Sequence, residues 1–213
     1  LGETHVGYTK QDFHPLHLSV VGSRPFSWGG PQWRNQAFYQ QRYGVNGFEE
    51  STAQIMKAVQ ATTYSTTIFL AHNGPKGLGD QPHDACGRDW KSGGGDYGDQ
   101  DLTRAIAQTR QLGKQIPLVV FGHMHHRLRH TQNYQRTAVV RDPQGTVYFN
   151  AACVPRLVKI EAHNQYLRKF FLISLTPTGV RQIRLVEMGP DFSILQEEIF
   201  YQAVEPIPEK LLS

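Results

Sequence analysis

The sequence predicts an α/β (α+β) fold with helices packed outside sheets, and three observations predict it. Short apolar runs of strand length alternate with two segments of helical period as far as Phe121. Two of those runs lead directly into histidine. Beyond residue 136 the pattern changes to paired β-branched and aromatic runs joined by turn residues, the mark of antiparallel hairpins.

Leu16 to Val21 is an apolar run closed by Gly22 and is expected as a strand. Ser23-Arg24-Pro25-Phe26-Ser27-Trp28-Gly29-Gly30-Pro31 is dense in breakers and predicts a long loop. From Phe48 to Ala61, apolar Phe48, Ile55, Met56 and Val59 follow a helical period, and Glu49 and Glu50 complement the dipole at the start. Thr66 to Leu70 is a β-branched and aromatic strand. Asn73 to Asp99 carries many glycines, two prolines and several aspartates, so a long loop is expected there; such loops are usually functional or disordered.

Asp101 to Gly113 returns to helical spacing through Leu102, Ile106 and Leu112, with Asp99 or Asp101 as cap and Gly113 as stop. Pro117 then leads into the strand Leu118-Val119-Val120-Phe121. Thr137 to Arg141 and Thr146 to Phe149 flank Asp142-Pro143-Gln144-Gly145, and Tyr166 to Leu175 and Val180 to Val186 flank Pro177-Thr178-Gly179. Both pairs are expected as hairpins. One domain is expected over residues 1–190, with a C-terminal tail over 191–213.

The 213 residues, 39% hydrophobic and 19% charged, suffice to bury a sizeable core. The longest apolar run, Ile116 to Phe121, is far below the roughly 20 residues of a membrane-spanning helix, so no membrane partner is expected. The opening residues Leu-Gly-Glu-Thr-His lack signal-peptide order and are expected to continue a longer chain. A net charge of +4 suits anionic ligands, but the basic residues are scattered. A phosphorylated small-molecule substrate is the expected partner, and nucleic acid has no motif in its support. Cys86 and Cys153 lack zinc-knuckle spacing and are expected as reduced thiols in a cytoplasmic compartment.

The chemistry concentrates where two apolar strands end: Ile68-Phe69-Leu70-Ala71-His72-Asn73-Gly74 and Leu118-Val119-Val120-Phe121-Gly122-His123-Met124-His125. In extended backbone His123 and His125 project from one face while Met124 points into the core. Neutral imidazole is a common transition-metal ligand, so His72, His123 and His125 are the candidate metal ligands. Gly122 removes a side chain where a metal or phosphate would approach the backbone. Asn73 is a candidate to support His72 or meet phosphate, and Arg24 and Arg88 are candidate clamps for phosphate oxygens. The plainer readings are a turn-forming Asn and surface arginines. His126 and His130 read as surface or supporting residues, and His5, His14, His17, His83 and His163 have no metal context. Asp12-Phe13-His14, Asp80 and Asp99 do not stand at strand ends and are set aside as ligands.

Gly122-His123-Met124-His125 resembles the Gly-His-x-His motif of calcineurin-like metallophosphoesterases, and Ala71-His72-Asn73-Gly74-Pro75 resembles the strand-end histidine that precedes it. The stretches Gly74 to Asp80, Cys86 to Trp90 and Gly95 to Asp99 look like the cyanobacterial and plastid branch, for which the plastid stroma is the other expected location. The resemblance implies an αββα sandwich holding two divalent metal ions, of which manganese, iron or zinc suit imidazole and carboxylate donors. It implies His72 and His123 on one ion and His125 on the other, in a hydrolase of phosphomonoesters or phosphodiesters. The family's Asp-x-His, bridging Asp and Gly-Asn-His are absent here and are expected upstream of Leu1. Two other readings compete: a non-catalytic protein that keeps the fold for binding, and a structural zinc site completed by Cys86 or Cys153.

Overall fold

Ten strands and three α-helices form over the residues that the computed structural model describes, 5–129, 134–160 and 165–204. The chain divides into two compact units, Leu1–Val154 and Pro155–Ser213. The second unit contains a sheet of its own, built from the described strands after residue 155.

In the first unit the elements follow in the order β1 (Lys10–Phe13), β2 (Leu18–Gly22), α1 (Gln36–Tyr43), α2 (Phe48–Gln60), β3 (Thr66–Leu70), α3 (Gln100–Gln111), β4 (Leu118–Phe121), β5 (Val139–Arg141) and β6 (Val147–Asn150). They make a six-stranded sheet in the order β1-β2-β3-β4-β6-β5. The four central strands are parallel, and β1 and β5 close the two edges antiparallel to their neighbours. Residues 139–150 form the expected hairpin, but β6 also joins β4 in parallel, which draws it into the main sheet.

Helices α2 and α3 cover one face. The buried side of α2 is Ser51, Thr52, Ile55, Met56, Ala58 and Val59, and that of α3 is Asp101, Leu102, Ala105, Ile106 and Thr109. These meet Val21, Phe69, Val119 and Phe121 of the central strands in one hydrophobic cluster. Burial of each large aliphatic or aromatic side chain in it contributes about 1.5–3 kcal/mol relative to exposure, which holds this layer against the central strands.

Two elements escaped the sequence reading. Lys10–Phe13 is too polar for a buried strand, and it forms instead an edge strand that needs no apolar face. Helix α1 lacks an apolar period because only Tyr39 is buried; Gly44 in a left-handed conformation ends it.

Between β3 and α3 the long loop folds back on itself. Asp99 donates its backbone N–H to Gly74 O at 2.8 Å, Tyr97 to Cys86 O at 3.0 Å and Arg88 to Gly95 O at 2.9 Å. The loop is thus internally bonded along its length, as a compact Ω-type loop is.

The second unit is a four-stranded antiparallel sheet of β7 (Leu157–Ile160), β8 (Gln165–Thr176), β9 (Gly179–Met188) and β10 (Ile194–Gln202), in the order β10-β9-β8-β7. The expected hairpin around Pro177-Thr178 is β8 and β9. Residues 194–202 of the expected tail pair with β9 as β10, where Ile194, Ile199 and Tyr201 are strand-forming residues. Among the described residues no helix is long and apolar enough to cross a membrane. Cys86 and Cys153 are both free thiols.

Candidate functional site

The ends of β3 and β4 are held together by backbone alone. Ala71 donates its N–H to Val120 O at 2.8 Å, and Gly122 donates to His72 O at 3.0 Å. This continues the parallel ladder past both strands and sets His72 beside His123, with ring centroids 4.9 Å apart. Both residues are exposed, as is His125.

The geometry after β4 differs from the expected extended run. The strand stops at Phe121, and His123 takes a left-handed backbone with φ of 67°. Strand alternation therefore does not place His123 and His125; a turn does. Met124 is buried as expected, with 4% of its surface exposed. Two buried side chains pin this turn. Asn150, at the end of β6, donates to Met124 O at 2.7 Å, and its carbonyl oxygen lies 2.7 Å from His126 Nε2. Arg136 donates from Nε to His125 O at 3.0 Å.

His123 as a residue is exposed, yet partial withdrawal of its ring from water is the largest cause that moves its pKa down to about 4, followed by the charges of His72 and His125. It is neutral at ordinary pH. His72 Nδ1 lies 2.7 Å from Ser27 O. A carbonyl oxygen only accepts, so Nδ1 carries a proton, and in the neutral ring it is Nε2 that holds the lone pair. A neutral ring, or one whose Nδ1 is oriented by a backbone carbonyl, suits metal ligation through Nε2. His125 acts on His123 through its charge, but among the described residues no three His, Cys, Asp or Glu side chains form a group that could hold a metal ion. His72 and His123 thus meet, and His125 is close enough to act on His123.

Arg24 is not a phosphate clamp. It is 2% exposed, and its guanidinium pairs with Asp99 Oδ1 at 2.7 Å through Nη2 and with Asp101 Oδ2 at 3.0 Å through Nε. Its planar face stacks over Trp33, 4.7 Å from the ring centroid. The two buried carboxylates consume the charge that a substrate would need. Burial works against the Arg24 charge, but Asp99 and then Asp101 outweigh it and raise the pKa. Burial first and Asp101 second push Asp99 up to about 7, against the opposing pull of Arg24. Ser27 donates its hydroxyl to Asp99, and Tyr8, Ser51 and Asp101 continue the network on the other side. Asp99 holds the helix-start position of α3 as expected, yet its side chain makes no cap hydrogen bond because Arg24 and Ser27 take it.

Asn73 is also withdrawn from the surface. It is fully buried and donates from Nδ2 to Tyr97 O at 2.8 Å, tying the start of the long loop to its return. The close fit explains Gly29, where a Cβ would stand 2.4 Å from Asn73 Nδ2 and 2.0 Å from Tyr97 O. Arg88 is half-buried, its guanidinium 5.4 Å from the centre of the Tyr97 ring.

The residues set aside as ligands stay outside the site. Asp12 bonds to Lys10, Ser19 and Thr63, and it pairs with Ser19 toward the opposite end of β2 from the histidines. Asp80 is exposed and accepts from Gln81. His14 and His17 pack edge-on against Tyr64. His130 and His163 lie outside the described residues.

Arg136 is the residue that sequence reasoning missed most plainly. Besides His125 O, it donates from Nη1 to the carbonyls of Pro82, Asp84 and Gly87 at 3.1, 2.8 and 2.7 Å. Burial lowers its pKa, with Asp89 opposing. One guanidinium therefore joins the histidine turn to the long loop. No local pattern marks it, since its acceptors are main-chain groups about 50 residues earlier. No protein-family model matches the chain, and comparison with curated proteins finds no match.

Proposed function

We propose that this chain acts as a metal-dependent phosphoester hydrolase of the calcineurin-like metallophosphoesterase kind, with the αββα architecture of that family. The single observation that carries the reading is the pair His72 and His123, 4.9 Å apart at the ends of adjacent parallel strands. Ligands in open α/β sheets bind outside the carboxyl ends of the strands, which is where this pair stands.

Support comes from the donor chemistry. His72 presents Nε2 because Ser27 holds Nδ1, and His123 is neutral. Gly122 adds to it: a Cβ there would meet only His72 O at 3.8 Å and Ala152 Cβ at 4.0 Å. Internal packing does not demand a glycine, so the reading gives it the job of admitting a ligand close to the backbone.

Two divalent ions, when bound, supply an activated water and charge stabilisation for the attacking and leaving oxygens. In this reading His72 and His123 hold one ion and His125 the other. The reading also requires further ligands, a bridging carboxylate among them. Arg136 and Asn150 hold the turn in place, and Ser27 orients His72.

The competing reading, a binding protein that keeps this fold without turnover, draws on the finding that among the described residues no three His, Cys, Asp or Glu side chains form a group that could hold a metal ion. Metal titration separates the two. The hydrolase reading expects manganese-dependent hydrolysis of p-nitrophenyl phosphate or its bis ester, lost in His72→Ala and in His123→Ala. Metal binding that neither substitution weakens refutes the site itself; binding that both weaken, without turnover, leaves the binding protein.

A further inference from the structure

The loop from Ser23 to Gly30 is rigid below and aromatic above. Ser23, Arg24 and Ser27 are at most 2% exposed, while Phe26 is 45% and Trp28 57% exposed. The underside is fastened by Arg24 and Ser27 on Asp99 and by the Tyr39 hydroxyl on Pro25 O at 2.8 Å. Phe26 is held with φ of 56°, a left-handed conformation that a phenylalanine adopts only under compulsion. An aromatic ring kept out of the core on a strained, clamped backbone is positioned for something other than stability.

Its neighbours show for what. The Phe26 ring lies 6.4 Å from the His72 ring and 5.9 Å from Phe38, itself 39% exposed. Arg34 stands 5.9 Å over Trp28 at the rim. A phosphate at the histidine pair thus has the exposed Phe26 ring beside it, with Phe38 edge-on behind that ring.

We propose that Phe26 and Trp28 form the seat for the base of a nucleoside phosphate whose phosphate group is met by His72 and His123. The proposal rests on the hydrolase reading for the phosphate end and on the aromatic loop for the base end. A flat heteroaromatic base suits exposed rings because every base offers a π-face.

The test is titration calorimetry of the full chain with manganese, using adenosine 5′-monophosphate, ribose 5-phosphate and butyl phosphate. The nucleotide is expected to bind on the order of tenfold or more tightly than ribose 5-phosphate, as base stacking on an aromatic ring provides. In Phe26→Ala/Trp28→Ala that preference falls toward one. Phe26→Gly/Trp28→Ala, which tolerates the left-handed backbone, guards against a merely misfolded loop and is expected to lose the preference equally. Phe192→Ala, which removes an exposed aromatic of the second unit, keeps it. Equal binding of nucleotide and ribose phosphate, butyl phosphate matching the nucleotide, no binding of nucleotide, or a preference that survives both double variants each overturns the proposal. Turnover is scored separately: a nucleotide preference without hydrolysis removes the enzyme reading and leaves the seat standing.

Discussion

Nδ1 of His72 donates to the backbone carbonyl of Ser27 across 2.7 Å, and the Ser27 hydroxyl is itself fastened to buried Asp99. One residue thereby fixes both the tautomer of a candidate ligand and the loop that carries the exposed aromatics. The expected outcome is that His72 shows the Nδ1–H tautomer by nitrogen NMR. Ser27→Ala should lower stability by about 1–3 kcal/mol, since it strips a hydrogen bond from a buried carboxylate. An Nε2–H tautomer in the unaltered protein would contradict this arrangement.

Asp99 gives the fold a pH dependence of defined sign. Its folded pKa is raised to about 7 by burial and by Asp101, above the ordinary carboxylate value near 3.8. Between those values the folded state holds a proton that the unfolded state has released, so this group's contribution falls as pH rises from about 4 to 7. Asp99→Asn, which cannot ionise, should flatten that slope. Denaturation at pH 5 and pH 8 is expected to show the unaltered protein losing on the order of 1 kcal/mol or more relative to the variant. Parallel pH profiles for the two proteins would rule the assignment out.

Strands β2, β3 and β4 and helices α2 and α3 were legible because apolar period alone specifies them. Leu118 to Phe121 has nowhere to go but the core, and Phe48 to Gln60 has one greasy side. The histidines were legible because they stand where those strands stop. What was not legible depends on partners distant in sequence. Arg24 reads as a surface cation until Asp99 and Asp101 are folded against it, 75 and 77 residues later. Asn73 likewise looks available until Tyr97 returns to it. The left-handed turn at His123 breaks the alternation rule locally because Arg136 and Asn150, neither of them nearby in sequence, define it instead of the strand.

Arg136 supplies a sharper test of that turn. Its guanidinium satisfies the carbonyls of Pro82, Asp84, Gly87 and His125 together, a fork that a lysine ammonium cannot reproduce. Arg136→Lys is expected to cost about 3 kcal/mol or more, because buried carbonyls lose their donors. Limited proteolysis should then cut first within residues 80–95. A variant with a loss below about 1 kcal/mol would mean that the loop holds without it.

Stability and ligand binding should part company at His123. Its φ of 67° is a left-handed conformation that costs a residue with a Cβ roughly 1–2 kcal/mol and glycine almost nothing. The side chain is exposed, so its removal sacrifices little packing. His123→Ala keeps the strained backbone and loses the imidazole, whereas His123→Gly loses the imidazole and the strain together. The glycine variant should therefore be more stable than the alanine variant by about 1 kcal/mol, and no less stable than the unaltered protein. Both should bind manganese or zinc at least about 100-fold more weakly, since even residues behind a ligand cost 10–100-fold. Chemical denaturation and equilibrium dialysis on the three proteins measure the two effects independently. If glycine and alanine are equally stable, the turn is not held left-handed in solution; if metal affinity survives in both, His123 is not a ligand and its strain serves the turn alone.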